Sequence, residues 1–220
     1  MQEPEAAQEA AEAEYLRSLA GRLEGAGLSE RDDGPEGYRT RVFHRRGVSL
    51  KKLGYVDTFV VVAEFDSLTP ERAEEFSKAA FKYGLANKSW FPRILGTALV
   101  VYPVIVGEEF DRSVLDWINS YRNNHLSSYE FPVLVDPTHR RTFYNDKRSI
   151  MGWLHYGSFQ RFADRRIGPA GEPVEPSPAG DAAEPGGDAR GQGVEVNYCP
   201  SCGSEISHDA AFCGSCGTEL

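Results

Sequence analysis

Four cysteines, the only ones in the 220-residue chain, fall at positions 199, 202, 213 and 216 as two copies of one pattern. Each copy reads aromatic residue, Cys-x-x-Cys, Gly, a hydroxyl residue, Glu and an aliphatic residue, ending at Ile206 and Leu220. Zinc in structural sites takes four tetrahedral ligands, usually thiolates and imidazoles. Cys199 and Cys202 can grip such an ion from one tight turn, and Cys213 and Cys216 from a second. Gly203 and Gly217 stand where a turn curling back toward sulfur often needs a positive φ. Tyr198, Ile206, Phe212 and Leu220 supply the few apolar contacts so small a module can make, so its folding energy would come from the metal. Zinc is the expected ion, with iron as the alternative metal.

Two other uses of cysteine fit less well. A redox Cys-x-x-Cys belongs near a βαβ pattern, which this segment lacks, and one copy would suffice. Disulfides suit secreted chains, whereas residues 1–14 are acidic and Ala-rich, with no apolar core of the signal-peptide kind. The doubled Cys-x-x-Cys-Gly makes residues 198–220 resemble the short zinc ribbons found at the ends of many prokaryotic proteins. That resemblance implies that Cys199, Cys202, Cys213 and Cys216 bind zinc. The family's partners vary among nucleic acid, proteins and none.

A second group of side chains points to anion binding. Arg39, Arg41, His44, Arg45, Arg46, Lys51 and Lys52 crowd one predicted hairpin. His139, Arg140, Arg141, Lys147 and Arg148 crowd a loop, and Arg161, Arg165 and Arg166 end the last predicted helix. If they folded together, with Tyr38, Phe43, Phe143 and Tyr144 interleaved, they would make a face for phosphate contacts and base stacking. The bland alternative is a set of solvated positions. The net charge of −9 hides this contrast. Residues 38–167 carry 20 Lys and Arg against 14 Asp and Glu, and the remainder carries 4 against 19. A mildly basic core is thus flanked by acidic segments able to fold over it. The acidic tails resemble those of halophilic archaeal proteins, and the excess of Arg over Lys in the whole chain, 18 to 6, suggests a GC-rich or salt-adapted genome.

Catalytic constellations are thin. Asp57 and Glu64 on one predicted strand invite comparison with metal-dependent nucleases, but Glu64-Phe65-Asp66 lacks the lysine of a Glu-x-Lys pattern. Asp57 otherwise reads as a strand-entry residue and Asp66 as a helix-proximal cap. His155, and Asp136-Pro137-Thr138-His139 at a strand end, are the remaining acid–base candidates, with a packed core histidine the competing reading for His155. Neither a P-loop nor a Gly-x-Gly-x-x-Gly accompanies them. Gly84, Asn87 and Trp90 mark an irregular stretch that would border a pocket.

The elements that must position these groups follow from periodicity. Residues 1–13, rich in Ala, Glu and Gln, read as a disordered acidic tail or a fraying helical extension. Tyr15, Leu16, Leu19 and Leu23 fall at helical spacing, stopped by Gly25 and Gly27, and residues 29–37 form a polar turn. Strands are expected at 38–43, 55–65, 98–106 and 131–135, with a short one at 141–144 returning through the Pro137 turn. Thr69-Pro70-Glu71 opens a helix with a hydroxyl cap, a first-position proline and an early carboxylate. Further helices are expected at 110–121 and 149–166.

The expected fold is an α/β (α+β) sandwich, one mixed sheet with packed helices, over residues 14–167. A Pro/Gly/acidic linker of 168–197 follows, holding five prolines and seven glycines before Asn197, with an r.m.s. reach of roughly 30 Å, and then the ribbon of 198–220. Two modules on such a tether gain avidity from effective concentration. The core resembles an uncharacterised domain of archaeal and bacterial proteins through Arg45-x-x-x-x-Leu50-Lys51-Lys52 leading into a Val-rich strand. That resemblance implies no activity. No apolar run approaches the ~20 residues that span a bilayer, so a cytoplasmic protein is expected. The expected role is non-enzymatic binding of nucleic acid or a nucleic-acid-associated complex, the alternatives being a protein-interaction adaptor and a divergent nuclease.

Overall fold

The computed structural model describes residues 3–49, 54–88, 97–122, 128–145, 153–169, 197–198 and 205–206. Seven strands form one mixed sheet in the order β1-β2-β3-β4-β6-β7, with β5 also on β4. They are β1 (Ser29–Arg31), β2 (Thr40–Ser49), β3 (Gly54–Glu64), β4 (Thr97–Val106), β5 (Ser128–Glu130), β6 (Val133–Asp136) and β7 (Arg141–Phe143). The helices are α1 (Glu3–Glu24), α2 (Pro70–Asn87), α3 (Arg112–Ser120) and α4 (Trp153–Phe162), the last running into a π-helical turn, Ala163–Ile167. The mixed sheet with packed helices is the fold expected from the sequence.

The β3 run Val56 to Ala63 is nearly continuous in apolar residues because both faces of the sheet are covered. Val56, Val60 and Val62 pack with Tyr15, Leu19 and Leu23 of α1 and with Phe159 and Ala163 at the other end of the chain. Phe59, Val61 and Ala63 face Ala73, Phe76 and Ala80 of α2 and Val114 and Ile118 of α3. The β2–β3 hairpin is antiparallel, while β3–β4, β4–β5 and β4–β6 are parallel. Thr69 caps α2 as its sequence indicates, its hydroxyl accepting from the Arg72 N–H at 3.3 Å.

Several boundaries differ from the sequence reading, each for a local reason. The acidic segment 1–13 is helical from Glu3, as its Ala, Glu and Gln content favours. Residues 29–31, read as turn, are an edge strand on β2. The strand expected at 131–135 appears as β6 (Val133–Asp136), and a separate short strand, β5 (Ser128–Glu130), precedes it. The break falls where Pro103 and Pro132 share one register, since Val101 pairs Glu130 and Val104 pairs Val133. Neither proline has an N–H to give the ladder. Gly84 and Asn87 belong to α2 rather than to an irregular stretch, and Trp90 lies outside the described residues.

The last turn of the core is held from α1. Tyr15 donates its hydroxyl to the Ile167 carbonyl at 2.8 Å. Arg22 donates to the carbonyls of Arg166 at 3.2 Å and Gly168 at 2.9 Å. Those carbonyls have no helical partner of their own, so α1 closes the end of the π-helical turn.

Candidate functional site

The sheet has two chemically different ends. At one, the parallel strands β3, β4 and β5 begin; at the other, β3, β4 and β6 finish and lead into the loops before α2, α3 and β7. The loops 32–39, 65–69, 107–111 and 137–140 at the finishing end hold seven acids and two Arg. There, burial raises the Glu12 carboxyl of α1, with Glu64, Glu108 and Asp66 adding repulsion. A mixed-charge pocket of about 250 Å³ beyond β3 is lined by Tyr38, Arg39, Glu64, Asp66, Ser67 and Arg72, among others.

The connections 25–28, 50–53, 88–96, 121–127 and 144–152, which join elements at the starting end, carry seven Lys and Arg against one acid, Asp146. Both crossover helices lie on one face, and the parallel strands are added in one direction. The fold therefore has no divergent pair of crossovers to open a crevice at the strand ends.

Among the described residues, the basic side chains singled out in the sequence are spread over both faces and both ends of the sheet. Arg41 lies on the α1/α4 side, where it grips Glu30 through two bonds of 2.7 and 2.8 Å and donates to the Leu16 carbonyl. Arg45, on the same side, donates to the Ala26 carbonyl at 2.8 Å. Arg46 points to the α2/α3 side at the starting end, its guanidinium 4.2 Å over the Tyr55 ring. Arg39 is exposed at the finishing end.

Arg140 and Arg141 sit at the finishing end too, but by the far edge strand β7, four strand spacings or roughly 19 Å from β2. The alternation of a strand puts neighbours such as Arg45 and Arg46 on opposite faces, so clustering along the sequence does not become clustering in space. Lys51, Lys52, Lys147 and Arg148 lie outside the described residues.

Asp57 and Glu64 cannot share a metal. They stand seven residues apart on β3, roughly 23 Å, and point to opposite faces. Asp57 is 0% exposed, whereas Glu64 is exposed. The nuclease comparison therefore fails on geometry, and Asp57 is a buried partner rather than a strand-entry residue. Its Oδ1 lies 2.8 Å from His44 Nε2, and the His44 ring stacks on Phe59 at 4.3 Å.

Asp136 is likewise buried, and both its oxygens are used by His139, from the backbone N–H at 3.0 Å and from Nδ1 at 2.8 Å. That pair closes the turn into β7. His155 lies in the first turn of α4. Sequence reasoning missed a third cluster, in which Ser77 of α2 donates to buried Glu130 at 2.6 Å. Burial raises the Tyr121 phenol there, and its hydrogen bond to the Glu130 carboxylate adds to the shift. Among the described residues, no three His, Cys, Asp or Glu side chains are grouped to hold a metal. No described helix is long and apolar enough to cross a membrane.

The cysteine segment is described at two points. Strand β8 (Asn197–Tyr198) pairs antiparallel with β9 (Glu205–Ile206), Asn197 opposite Ile206 and Tyr198 opposite Glu205. The six residues bracketed by this hairpin contain Cys199 and Cys202, the arrangement a metal-gripping turn requires. Cys213 and Cys216 lie outside the described residues, as do the first two cysteines themselves. The zinc-ribbon domain family matches residues 198–220. Residues 198–220 are a zinc-ribbon domain. The zinc ribbon implies zinc binding. No family matches outside the ribbon, and no curated protein or solved structure matches the chain.

Proposed function

We propose that this zinc-ribbon-containing protein is a non-enzymatic binder of nucleic acid, using the end of the core sheet at which the parallel strands begin. The supporting observation is the division of charge along the strands, with seven basic residues and one acid in the connections of one end and the reverse balance at the other. Such a field orients a polyanion toward one end and repels it from the other. Arg46 supplies that end with a cation already seated on an aromatic ring.

In the same reading, Cys199, Cys202, Cys213 and Cys216 hold one structural zinc, and residues 168–197 act as a tether that lets ribbon and core engage one partner together. The test is a titration of the full chain with a labelled single-stranded oligonucleotide between 20 and 200 mM salt. With roughly four phosphates contacted, log affinity should fall against log salt with a slope of about −3. No binding at the lowest salt would overturn the reading and leave the protein-interaction adaptor. A salt-insensitive affinity would also contradict it.

A further inference from the structure

We propose that the pocket at the finishing end of β3 binds a free α-amino acid with an apolar side chain. Three segments wall it. The loop before β2 supplies Tyr38 and Arg39, the end of β3 and the turn after it supply Glu64, Phe65 and Asp66, and the first turn of α2 supplies Arg72. Its volume of about 250 Å³ lies below the roughly 300–1,000 Å³ of sites for drug-sized ligands, which sets the scale at a small metabolite. One wall is apolar and fixed. Tyr38 and Phe65 are half-buried and pack on buried Phe76, their ring centroids 5.2 and 5.5 Å from it. The loop before β2 turns at Gly37, whose φ of 83° glycine adopts without strain, and a Cβ there would meet nothing within 4 Å.

The other walls carry charge of both signs without pairing it. Arg39 and Arg72 share the pocket with Glu64 and Asp66, and among the described residues none of the four makes an ion pair. Their formal charges sum to zero, so a ligand with a net charge leaves one sign unmatched. A molecule that holds a cation and an anion a few ångströms apart answers both signs. Arg72 already donates to the Ser67 carbonyl at 2.9 Å and lies 5.4 Å over the Phe65 ring, which leaves Arg39 to take the ligand carboxylate. A guanidinium fork matches a carboxylate through two N–H groups, and Glu64 and Asp66 accept from the ammonium. The apolar side chain then covers Tyr38 and Phe65.

The experiment follows the backbone amides of the full chain by NMR as L-leucine is added. N-acetyl-L-leucine, which lacks the ammonium, and L-leucinamide, which lacks the carboxylate, are titrated beside it. L-leucine should shift the amides of residues 37–39 and 64–67 and saturate, and each single-charge analogue should bind about tenfold more weakly. Arg39→Gln should weaken L-leucine about tenfold yet leave L-leucinamide unchanged, since that analogue has no carboxylate to lose. Glu64→Gln with Asp66→Asn should weaken L-leucine and leave N-acetyl-L-leucine no weaker. All three positions are exposed, so the variants keep the fold, which the amides of the core report directly. No saturable shift at these residues, a single-charge analogue that binds as tightly as L-leucine, or variants with wild-type affinity would each overturn the inference. The nucleic-acid reading stands or falls separately, because it uses the other end of the sheet.

Discussion

Cys199→Ser is expected to leave the ribbon without bound zinc and without a fold, while the core stays native. The proposed site has four thiolates, and a module of 198–220 has almost no apolar surface to bury. Metal binding in such modules is worth about 10–16 kcal/mol and is the folding energy itself, so loss of one thiolate removes most of what holds the hairpin β8–β9. The core should be indifferent, since its two apolar clusters are built by α1 to α4 and the sheet. Zinc content of the purified chain should be about one ion for wild type and near zero for the variant. A chelator added to wild type should collapse the amide dispersion of the ribbon alone. Full zinc occupancy in Cys199→Ser would contradict the four-thiolate assignment.

The second large effect concerns the contact that brings α2 onto the sheet. A Cβ on Gly84 would stand 2.6 Å from Val101 Cγ2 and 3.6 Å from both Leu99 Cδ1 and Phe59 Cδ2. Val101 is buried in the central strand and has nowhere to turn. Gly84→Ala sets two effects against each other. Replacing a helical glycine gains about 0.5–1 kcal/mol, whereas forcing a methyl into a filled core costs about 1–3 kcal/mol.

At 2.6 Å the clash should win, and urea unfolding should show a net loss of about 1–2 kcal/mol. Gly21→Ala is the control, because nothing lies within 4 Å of its added Cβ. That variant should be neutral to stabilising by up to about 1 kcal/mol. A stabilised Gly84→Ala would mean that α2 does not approach β4 this closely.

What the sequence disclosed depended on the range of the interactions. Thr69-Pro70-Glu71 announced α2 because a helix start is a local signal. The valines of β3 announced a central strand because both faces are covered. The edge strand β1 has only three residues, and none of them is buried, so it left no pattern to read. The division of β5 from β6 needed the knowledge that Pro103 and Pro132 meet in register on different strands.

The same limit governs the site. Four cysteines at fixed spacing are legible, whereas His44 and Asp57 are thirteen residues apart and meet only through the hairpin register. The basic clusters along the sequence suggested one face. Alternation and topology instead sent Arg41 and Arg45 to one side, Arg46 to the other, and Arg140 and Arg141 to the opposite end. The basic excess in the sequence instead follows which end of the sheet a connection joins, a property of topology that no local run of residues announces.

The most direct test of this account is to reverse charge at each end and compare oligonucleotide affinity at low salt. Lys51→Glu with Lys52→Glu alters the proposed binding end, and Arg140→Glu with Arg141→Glu alters the other by the same total charge. The account predicts at least a tenfold loss and a shallower salt slope, by roughly 1.4, for the lysine pair if two single-strand phosphate contacts are lost. The arginine pair should change affinity by no more than about twofold, as distant charges are screened. Equal losses from the two pairs, or a greater loss from Arg140 and Arg141, would contradict it.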